Sequence, residues 1–344
     1  MTVRVGFLGA GLIATYHSKS LHRAKADVVW TGVYDTDAER AARVGAASGA
    51  PVCSTVEEVL DASDAVYVCT WTSEHPRLVE AIAARQLAVF CEKPLAVDLT
   101  SAAAMTATVT KAGVTNQVGL VLRRSPAFTF LRHLVTRPES GRVMAVVFRD
   151  DQFIPTQGMY GSTWRADASR AGSGTLLEHS IHDIDVLEWV AGPAVTASAR
   201  SASFHEIPGI EDAVAVSFGF ANGAVGTLAS VWHDVLERPS LRRVEVFCER
   251  GWFAMEDDDW NGPVHWTRLG GDRGSLAGRD LEAAVAGAGI ALENPDAAFI
   301  ESVSDGRGAH PDFATALRAH VVADAVYRSA ARGGTVVDIP PNHP

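Results

Sequence analysis

The side chains best suited to proton transfer fall in two short segments, and the first is Glu92-Lys93-Pro94, just after an apolar run of strand type. A lysine at this position can hydrogen-bond a substrate hydroxyl and lower the pKa of that hydroxyl through its charge. The proline restricts Lys93 to extended geometry, which sets the direction of its side chain. Taken alone, a lysine in a loop is more often an ordinary surface residue.

The second segment, residues 178–185, opens a predicted helix after Gly172-Ser173-Gly174. Glu178 and His182 are four residues apart and would share a helix face. Histidine takes up a proton near neutral pH, and a neighbouring carboxylate orients the ring and favours its charged form. We therefore predict His182 as the base and Glu178 as the group that positions it. Alternatively, acidic residues at the start of a helix can simply stabilise its N-terminus. No metal site is predicted, because no single helix face carries three metal ligands at a familiar spacing.

A glycine-rich turn near the N-terminus predicts a dinucleotide site. Residues 3–8 form an apolar run that ends in Gly9-x-Gly11-x-x-Ala14, and a helix pattern follows at once. In such a turn the glycines allow a tight bend and close approach of the backbone to a pyrophosphate, while the small third residue lets the helix lie on the strand. Asp35 follows the next strand at the expected distance. The alternative is an ordinary β-turn-α corner with chance glycines.

Strand and helix signals alternate through the first third of the chain. After the first strand, apolar runs of strand type occur at 28–34, 65–70, 88–91 and 114–122. Thr55-Val56-Glu57-Glu58 is a capping box, and Ser73 and Asp98 are predicted N-caps. This rhythm predicts an α/β fold with a doubly wound parallel sheet over residues 1–122.

The pattern changes after about residue 123, where longer alternating strands replace most helices. They are predicted at 142–149, 194–204, 213–220, 225–231 and 243–248. Asn222-Gly223 predicts a tight hairpin, a helix is predicted at 176–190, and another at 311–331. Residues 256–310 give weak signals and predict a long excursion or lid. Residues 123–344 are thus expected to form an α+β domain with an open, mostly antiparallel sheet.

Composition excludes several classes of protein. The net charge of −11 and the lack of a basic run argue against a nucleic-acid or anionic-membrane partner. No apolar stretch is long enough to span a bilayer, and the start lacks the pattern of a signal peptide. The four cysteines show no metal or redox spacing and are predicted to be free thiols of a cytoplasmic protein: Cys53, Cys69, Cys91 and Cys248.

The motifs occur in the order of a known family. The chain resembles, over nearly its whole length, the glucose–fructose oxidoreductase / inositol dehydrogenase / MocA family of nicotinamide-dependent oxidoreductases. Glu92-Lys93-Pro94 is similar to the family's most recognisable tripeptide. Three further segments carry the likeness: Thr70-Trp71-Thr72-Ser73-Glu74-His75, Gly119-Leu120-Val121-Leu122-Arg123, and the run from Gly174 to Asp185 with Glu178 and His182.

The resemblance implies a Rossmann domain that binds a nicotinamide dinucleotide, and a second domain that takes a sugar, polyol or sugar-derivative hydroxyl. Asp35 predicts NAD rather than NADP, because its carboxylate can bind the ribose hydroxyls and would repel a 2′-phosphate. The resemblance also implies Lys93, His182 and Glu178 as catalytic residues. The implied cofactor contacts are Gly9, Gly11, Leu12, Ile13, Asp35, Thr70, Trp71, Thr72, His75, Glu92 and Lys93. The implied substrate contacts are Arg123, Trp164, Arg165 and His179. A homo-oligomer, dimer or tetramer, through the C-terminal sheet is also implied.

The sequence alone leaves rival functions open. Trp71 and Thr72 replace the family's proline and asparagine, and Glu178 stands where many members have aspartate. One alternative is an NAD-dependent glycoside hydrolase of the same fold, in which NAD⁺ accepts a hydride from the substrate and gives it back within one turnover. Another is a non-catalytic dinucleotide sensor, which would need neither Lys93 nor His182. His233, at the end of a strand, is expected to be an ordinary surface histidine.

Overall fold

The computed structural model describes residues 2–258 and 260–341. By its contacts the chain forms two compact units. The first comprises the chain through Leu120 together with Glu293–Leu317, and the second comprises Val121–Leu292 and the chain from Arg318 onward. The division at 122/123 predicted from the sequence did not include the return of 293–317 to the first unit.

Helices separate the strands of the first unit, whereas most strands of the second unit follow one another directly. The strands are β1 (Val3–Leu8), β2 (Val28–Tyr34), β3 (Ala65–Val68), β4 (Ala88–Cys91), β5 (Asn116–Val118), β6 (Val143–Phe153), β7 (Ala194–Ala202), β8 (Ala213–Phe220), β9 (Val225–His233), β10 (Leu241–Cys248), β11 (Gly251–Asp258), β12 (Gly262–Arg268), β13 (Arg273–Leu276) and β14 (Val337–Asp338). The helices are α1 (Leu12–Ala24), α2 (Ala38–Ser48), α3 (Val56–Ala62), α4 (His75–Ala84), α5 (Leu99–Ala112), α6 (Pro126–Thr136), α7 (Ala168–Ala171), α8 (Ile181–Ala191), α9 (Gly278–Gly287), α10 (Pro295–Ser304) and α11 (Phe313–Ala331).

The first unit is built on a parallel sheet in the order β2-β1-β3-β4-β5. All residues of β3 and β4 are buried, which is the pattern of parallel strands covered on both faces. The predicted caps are confirmed at two helices, because Thr55 Oγ1 accepts from the Glu58 N–H and Asp98 from the Ser101 N–H. The predicted doubly wound α/β architecture is confirmed.

An aromatic core explains why residues near 300 belong to the first unit. The rings of Phe7, Tyr67 and Phe90 stack across β1, β3 and β4, with centroids 4.9 and 4.7 Å apart. Phe299 of α10 meets the rings of both Tyr67 and Phe90 edge-on at 5.6 Å. Burial of these aromatic rings stabilises the packing of α10 against the first sheet, and no local sequence pattern indicates this contact.

The second unit is built on an open sheet in the order β13-β12-β11-β10-β6-β9-β8-β7-β14. Its pairings are antiparallel except that of β6 with β9. Asn222-Gly223 joins β8 to β9 in the predicted hairpin, with Gly223 at φ +86° and Asn222 Oδ1 accepting from the Ala224 N–H. The predicted α+β domain is therefore confirmed.

Four local predictions were wrong. The strand expected at 114–122 is only β5, and a 3₁₀ turn follows at Val121–Arg124. Ser73 lies inside another 3₁₀ turn, so α4 begins at His75 instead. Residues 256–310, expected to form a long excursion or lid, contain the whole of β12, β13, α9 and α10.

The helix expected at 176–190 is the fourth case. Thr175–His179 form a π-helical turn, closed by the Ser180 N–H donating to the Thr175 carbonyl at 2.9 Å, and α8 begins only at Ile181. No helix of the described residues has both the length and the apolar character that crossing a bilayer requires.

Candidate active site

The glycine turn has the shape that a dinucleotide requires. Gly9 has φ +93°, and a Cβ there would lie 2.5 Å from the backbone oxygen of Cys69, so only glycine fits. A Cβ on Gly11 would meet nothing within 4 Å, which leaves open space beside the first N–H groups of α1. Leu12 and Ile13 are partly exposed on that first helical turn. The turn fits a pyrophosphate.

Asp35 follows β2 at the same sheet edge as the turn. Its Oδ2 accepts from the Ala10 N–H at 2.7 Å, and its Oδ1 accepts from the Asp37 N–H at 2.8 Å. These two bonds hold a half-buried carboxylate in one orientation and leave it acceptor capacity. Such a carboxylate suits the hydroxyls of an adenosine ribose.

The segment after β3 divides into half-buried and almost fully buried side chains. Trp71 is half-buried, whereas Thr72 and His75 are almost fully buried. The ring nitrogens of His75 lie 3.2 Å from the Leu95 carbonyl and 3.4 Å from the Thr70 carbonyl. Burial lowers the pKa of His75 and keeps it neutral near pH 7. His75 therefore lies against the backbone at Thr70 and Leu95, and the predicted cofactor contacts of Thr72 and His75 stay predictions.

Glu92 and Lys93 follow β4 at the same edge. Lys93 is half-buried, but the Glu92 side chain points inward, where Oε1 lies 2.9 Å from Nε2 of His17. Its Oε2 accepts from the Lys93 backbone N–H at 3.2 Å. Glu92 therefore binds the Lys93 backbone, and its predicted part in cofactor binding stays a prediction.

In the second unit, Glu178 pairs with Arg165. Arg165 Nε donates to Glu178 Oε1 at 2.6 Å, its Nη1 donates to Ser162 at 2.7 Å, and its guanidinium lies 4.7 Å from the Trp164 ring centroid. Because Glu178 belongs to the π-helical turn and His182 to α8, the argument that placed them on one helix face was wrong. The structure brings together Glu178, Arg165 and Trp164, three residues predicted from the sequence for the site.

Two ion pairs hold the first turn of α8, which carries the half-buried His182. Asp183 accepts from Arg242 Nε at 2.7 Å, and Asp185 accepts from Arg123 at 2.6 and 2.8 Å. Arg123, predicted to bind substrate, thus has a partner on α8 itself. Together the two pairs set the orientation of the backbone from which His182 projects.

A buried polar network lies beneath this turn. The strand register places Asp150, Ser230 and Arg242 side by side on β6, β9 and β10, all buried. His179 Nε2 lies 3.0 Å from Asp150 Oδ2, to which Ser180 also donates at 2.9 Å. His179, predicted as a substrate contact, therefore belongs to a held Asp–His pair.

The pKa values of the two carboxyl groups of this network are shifted in opposite directions. Burial opposes ionisation of Asp150, but Arg242 and His179 hold its pKa below the usual range. Burial raises the pKa of Asp183 well above its usual value, and Asp150 adds to that rise although Arg242 opposes it. Arg242 therefore favours the ionised form of both groups, while burial opposes it, so the two carboxyl groups depend on this cation.

Glu211 is a residue that the sequence analysis missed. Its carboxylate accepts from the backbone N–H groups of Gly174 and Leu176 at 2.8 and 3.0 Å, and from the Tyr327 hydroxyl at 2.9 Å. A Cβ at Gly174 would overlap the Glu211 backbone, so glycine is required for this approach. No local signal links these residues, because each lies in a different segment.

These features define a dinucleotide-binding α/β protein with a second unit that carries a histidine and a charged network. Residues 3–120 match the oxidoreductase family with an NAD-binding Rossmann fold, and residues 128–254 match the GFO/IDH/MocA C-terminal domain. The chain belongs to the GFO/IDH/MocA oxidoreductase family, which confirms the resemblance found in the sequence.

The individual proteins that the chain resembles share only a modest fraction of its sequence. The chain is 30% identical over 202 residues to an uncharacterised oxidoreductase, YrbE, of Bacillus subtilis (strain 168), across 56% of this chain and 55% of that protein. The match thus spans about half the length of that relative. It is 28% identical over 340 residues to inositol 2-dehydrogenase of Rhizobium meliloti (strain 1021), across 96% of this chain and 98% of that one. The structure of levoglucosan dehydrogenase in complex with NADH has a TM-score of 0.87 at 21% identity, over 99% of this chain and 100% of that chain, and shows the shared fold.

Proposed function

We propose that the protein is an NAD-dependent dehydrogenase that oxidises a CH–OH group of a sugar, polyol or sugar derivative. One observation carries the proposal. Lys93 follows β4 at the sheet edge that also holds the Gly9–Gly11 turn and Asp35. A cation at this edge can act on a hydroxyl of a molecule presented to the same dinucleotide.

The chain's own residues handle the proton. Lys93 donates a hydrogen bond to the substrate oxygen and stabilises the negative charge that develops there. His182 accepts the hydroxyl proton as general base. Glu178 positions the π-helical turn ahead of α8 through its bond to Arg165. Acceptance of hydride is the chemistry that NAD⁺ supplies when bound.

The substrate class follows from the relatives' names and from the polar lining of the second unit. Those names, inositol 2-dehydrogenase and levoglucosan dehydrogenase, denote a cyclic polyol and an anhydrosugar as substrates of those proteins. We propose Arg123, Trp164, Arg165 and His179 as residues that shape the substrate region of this chain. Hydroxyl-rich substrates suit such a mixture of aromatic and hydrogen-bonding groups.

A panel of polyols, sugars and anhydrosugars tests the function. Purified protein with NAD⁺ should accumulate NADH, seen by its absorbance, with at least one member of the panel. Cleavage of a glycoside without net NADH would instead indicate the hydrolase chemistry. No turnover of any kind, together with tight NADH binding, would indicate a sensor.

Preference for NAD⁺ over NADP⁺ should depend on Asp35. We expect kcat/KM with NAD⁺ to exceed that with NADP⁺ by roughly tenfold or more, because a 2′-phosphate would face the held carboxylate. Asp35→Asn removes this charge and should narrow the ratio, mainly by improving KM for NADP⁺. Steady-state kinetics with both cofactors measure the effect.

Asp37→Asn is the matched control, since it removes an exposed carboxylate two residues away and keeps a good helix cap. The ratio should stay at the wild-type value in this variant. An equal change in both variants, or a wild-type preference for NADP⁺, would contradict the role of Asp35.

We propose a homo-oligomer, dimer or tetramer, formed through the open face of the nine-stranded sheet. Val147, Val225 and Phe247 share that face and are 44%, 60% and 38% exposed. Contiguous apolar exposure of this kind is typical of a protein interface. Val147→Glu should shift the mass in light scattering toward a single chain, whereas Leu269→Glu, in the turn between β12 and β13, should not.

We also propose that the protein acts in the cytoplasm. All four cysteines are free thiols. Burial raises the pKa of Cys69 and Cys91 well above the usual value for a thiol, which keeps both protonated and unreactive. Free thiols without a disulfide partner suit a reducing compartment.

A further inference from the structure

His17 connects two buried carboxylates of the first unit. It lies on α1 with 1% of its surface exposed. Nδ1 is 2.7 Å from Asp296 Oδ1, and Nε2 is 2.9 Å from Glu92 Oε1. A neutral imidazole carries one N–H, so donation to both carboxylates requires the charged ring.

The surroundings favour that charged form. Burial alone would lower the pKa of His17, but Asp296 and Glu92 outweigh burial and raise this pKa to about 10. The ring also packs against Phe90 and Tyr67, at 4.8 and 5.4 Å between centroids. His17 is therefore a buried imidazolium between two carboxylates throughout the neutral range.

The hydrogen bonds that join Asp296, His17 and Glu92 continue to the backbone of Lys93. Glu92 gives one carboxylate oxygen to His17 and accepts the Lys93 N–H with the other. On a further side lies Gly119, where a Cβ would overlap the Glu92 carboxylate. Glu92 is therefore held by His17 through one oxygen, binds the Lys93 backbone N–H through the other, and packs closely against Gly119.

We propose that His17 is a positioning residue for Lys93, acting through Glu92 with Asp296 as its second support. The proposal rests on the proposed function, in which Lys93 acts on the substrate hydroxyl. Packing alone does not account for the arrangement, because an apolar side chain among Phe90 and Tyr67 would avoid the burial of charge. What an apolar residue cannot do is hold the Glu92 carboxylate beside Lys93.

The central experiment is His17→Gln, which keeps a donor but cannot serve both carboxylates in the same geometry. We expect kcat to fall by about tenfold or more, because small displacements of a reacting group are costly. KM for the polyol and the Kd for NADH should stay within about threefold, since the substrate-binding groups and the glycine turn are untouched. Wild-type kcat in folded His17→Gln would overturn the proposal.

Ser20→Ala is the matched control. Asn294 Nδ2 donates to Ser20 Oγ at 2.8 Å, so this bond joins a residue of α1 to the N-cap of α10 but does not involve Glu92. The variant should lower the unfolding midpoint and leave kcat unchanged. A kcat loss in Ser20→Ala equal to that in His17→Gln would show a general effect on packing and would overturn the positioning role.

Gly119→Ala decides the question if His17→Gln does not fold. It displaces the Glu92 carboxylate while His17 and Asp296 stay intact, and it should reproduce the fall in kcat. Wild-type kcat in Gly119→Ala would overturn the proposal. Independently of activity, ¹⁵N NMR of histidine-labelled protein at pH 8 should show both ring nitrogens of His17 protonated, and a neutral ring would also overturn it.

Lys93→Met, measured in parallel, separates the two hypotheses. Near-normal turnover in Lys93→Met would refute the proposed function of the lysine. Loss of turnover in Lys93→Met together with wild-type kcat in folded His17→Gln and Gly119→Ala would refute only the role of His17.

Discussion

Lys93→Met and His182→Ala should each lower kcat by roughly 10²- to 10⁴-fold, the range typical of acid–base groups. In the proposed mechanism, Lys93 provides the charge that stabilises the developing alkoxide, and His182 takes the proton. Because both serve one oxygen, the double variant should lose little more than the more damaged single variant. Steady-state kinetics with the best polyol of the panel measure all three.

Binding measurements and a matched variant accompany this experiment. The Kd for NADH should change little in His182→Ala, since the proposed cofactor contacts lie in the first unit. His133→Ala removes a half-buried histidine of α6 and should leave kcat near the wild-type value. Near-normal turnover in Lys93→Met or in His182→Ala would remove that residue from the mechanism.

In the proposed mechanism, the orientation of His182 depends on two charged pairs that hold its helix, one of which includes Arg123 of the proposed substrate region. Asp183 and Asp185 hold the first turn of α8 through Arg242 and Arg123. A general base must keep hydrogen-bond distance to its proton, so a small rotation of this turn would slow the reaction. The charged network beneath α8 thus connects the packing of the second unit to the proposed chemistry.

Local sequence features predicted much of the first unit. The apolar runs at 28–34 and 88–91 coincide with β2 and β4, and in each case the strand ends at an acidic residue, Asp35 or Glu92. The Gly9–Gly11 turn and Asp35 lie where the fingerprint places them. Each of these signals arises within about 30 residues and needs no knowledge of the rest of the chain.

Long-range partners could not be predicted in the same way. Ala14, His17 and Leu21 follow helical spacing on the buried side of α1, so a buried His17 was foreseeable. Its partners, however, lie 75 and 279 residues away. Only the tertiary fold brings Glu92 and Asp296 to the same ring.

The broken helix at Ser180 has a similar cause. The run 176–190 has helical periodicity, but Glu211 binds the N–H groups of Gly174 and Leu176 and imposes a π-helical turn. The strands β12 and β13 were not predicted because they lie near the edge of an open sheet. A strand can form there with only weak alternation of apolar and polar residues and with glycines in its sequence. Tertiary contacts therefore overrode local preference in both places.

Arg242→Met should lower the free energy of unfolding by about 3–5 kcal/mol, the usual cost of removing one partner of a buried ion pair. The substitution leaves the carboxyl groups of Asp150 and Asp183 buried together without their cation. Their pKa values should then rise, so the folded variant binds more protons near neutral pH than the unfolded chain does. Stability of the variant should therefore increase as the pH falls from 8 to 5, and urea unfolding across that range measures it.

Arg238→Met supplies the comparison that makes this result specific. Arg238 also pairs with an aspartate, Asp151 at 2.6 Å, but its side chain is 40% exposed, so water screens the interaction. Its loss should change the free energy of unfolding little, and the pH dependence of stability should stay that of the wild-type protein. Two results would show that Asp150 and Asp183 do not depend on Arg242. One is equal destabilisation by both substitutions, and the other is a loss of unfolding free energy in Arg242→Met, relative to the wild type, that grows as the pH falls. A fall in kcat of Arg242→Met under conditions where the protein is fully folded would further indicate that Asp183 holds α8 in the orientation that His182 requires.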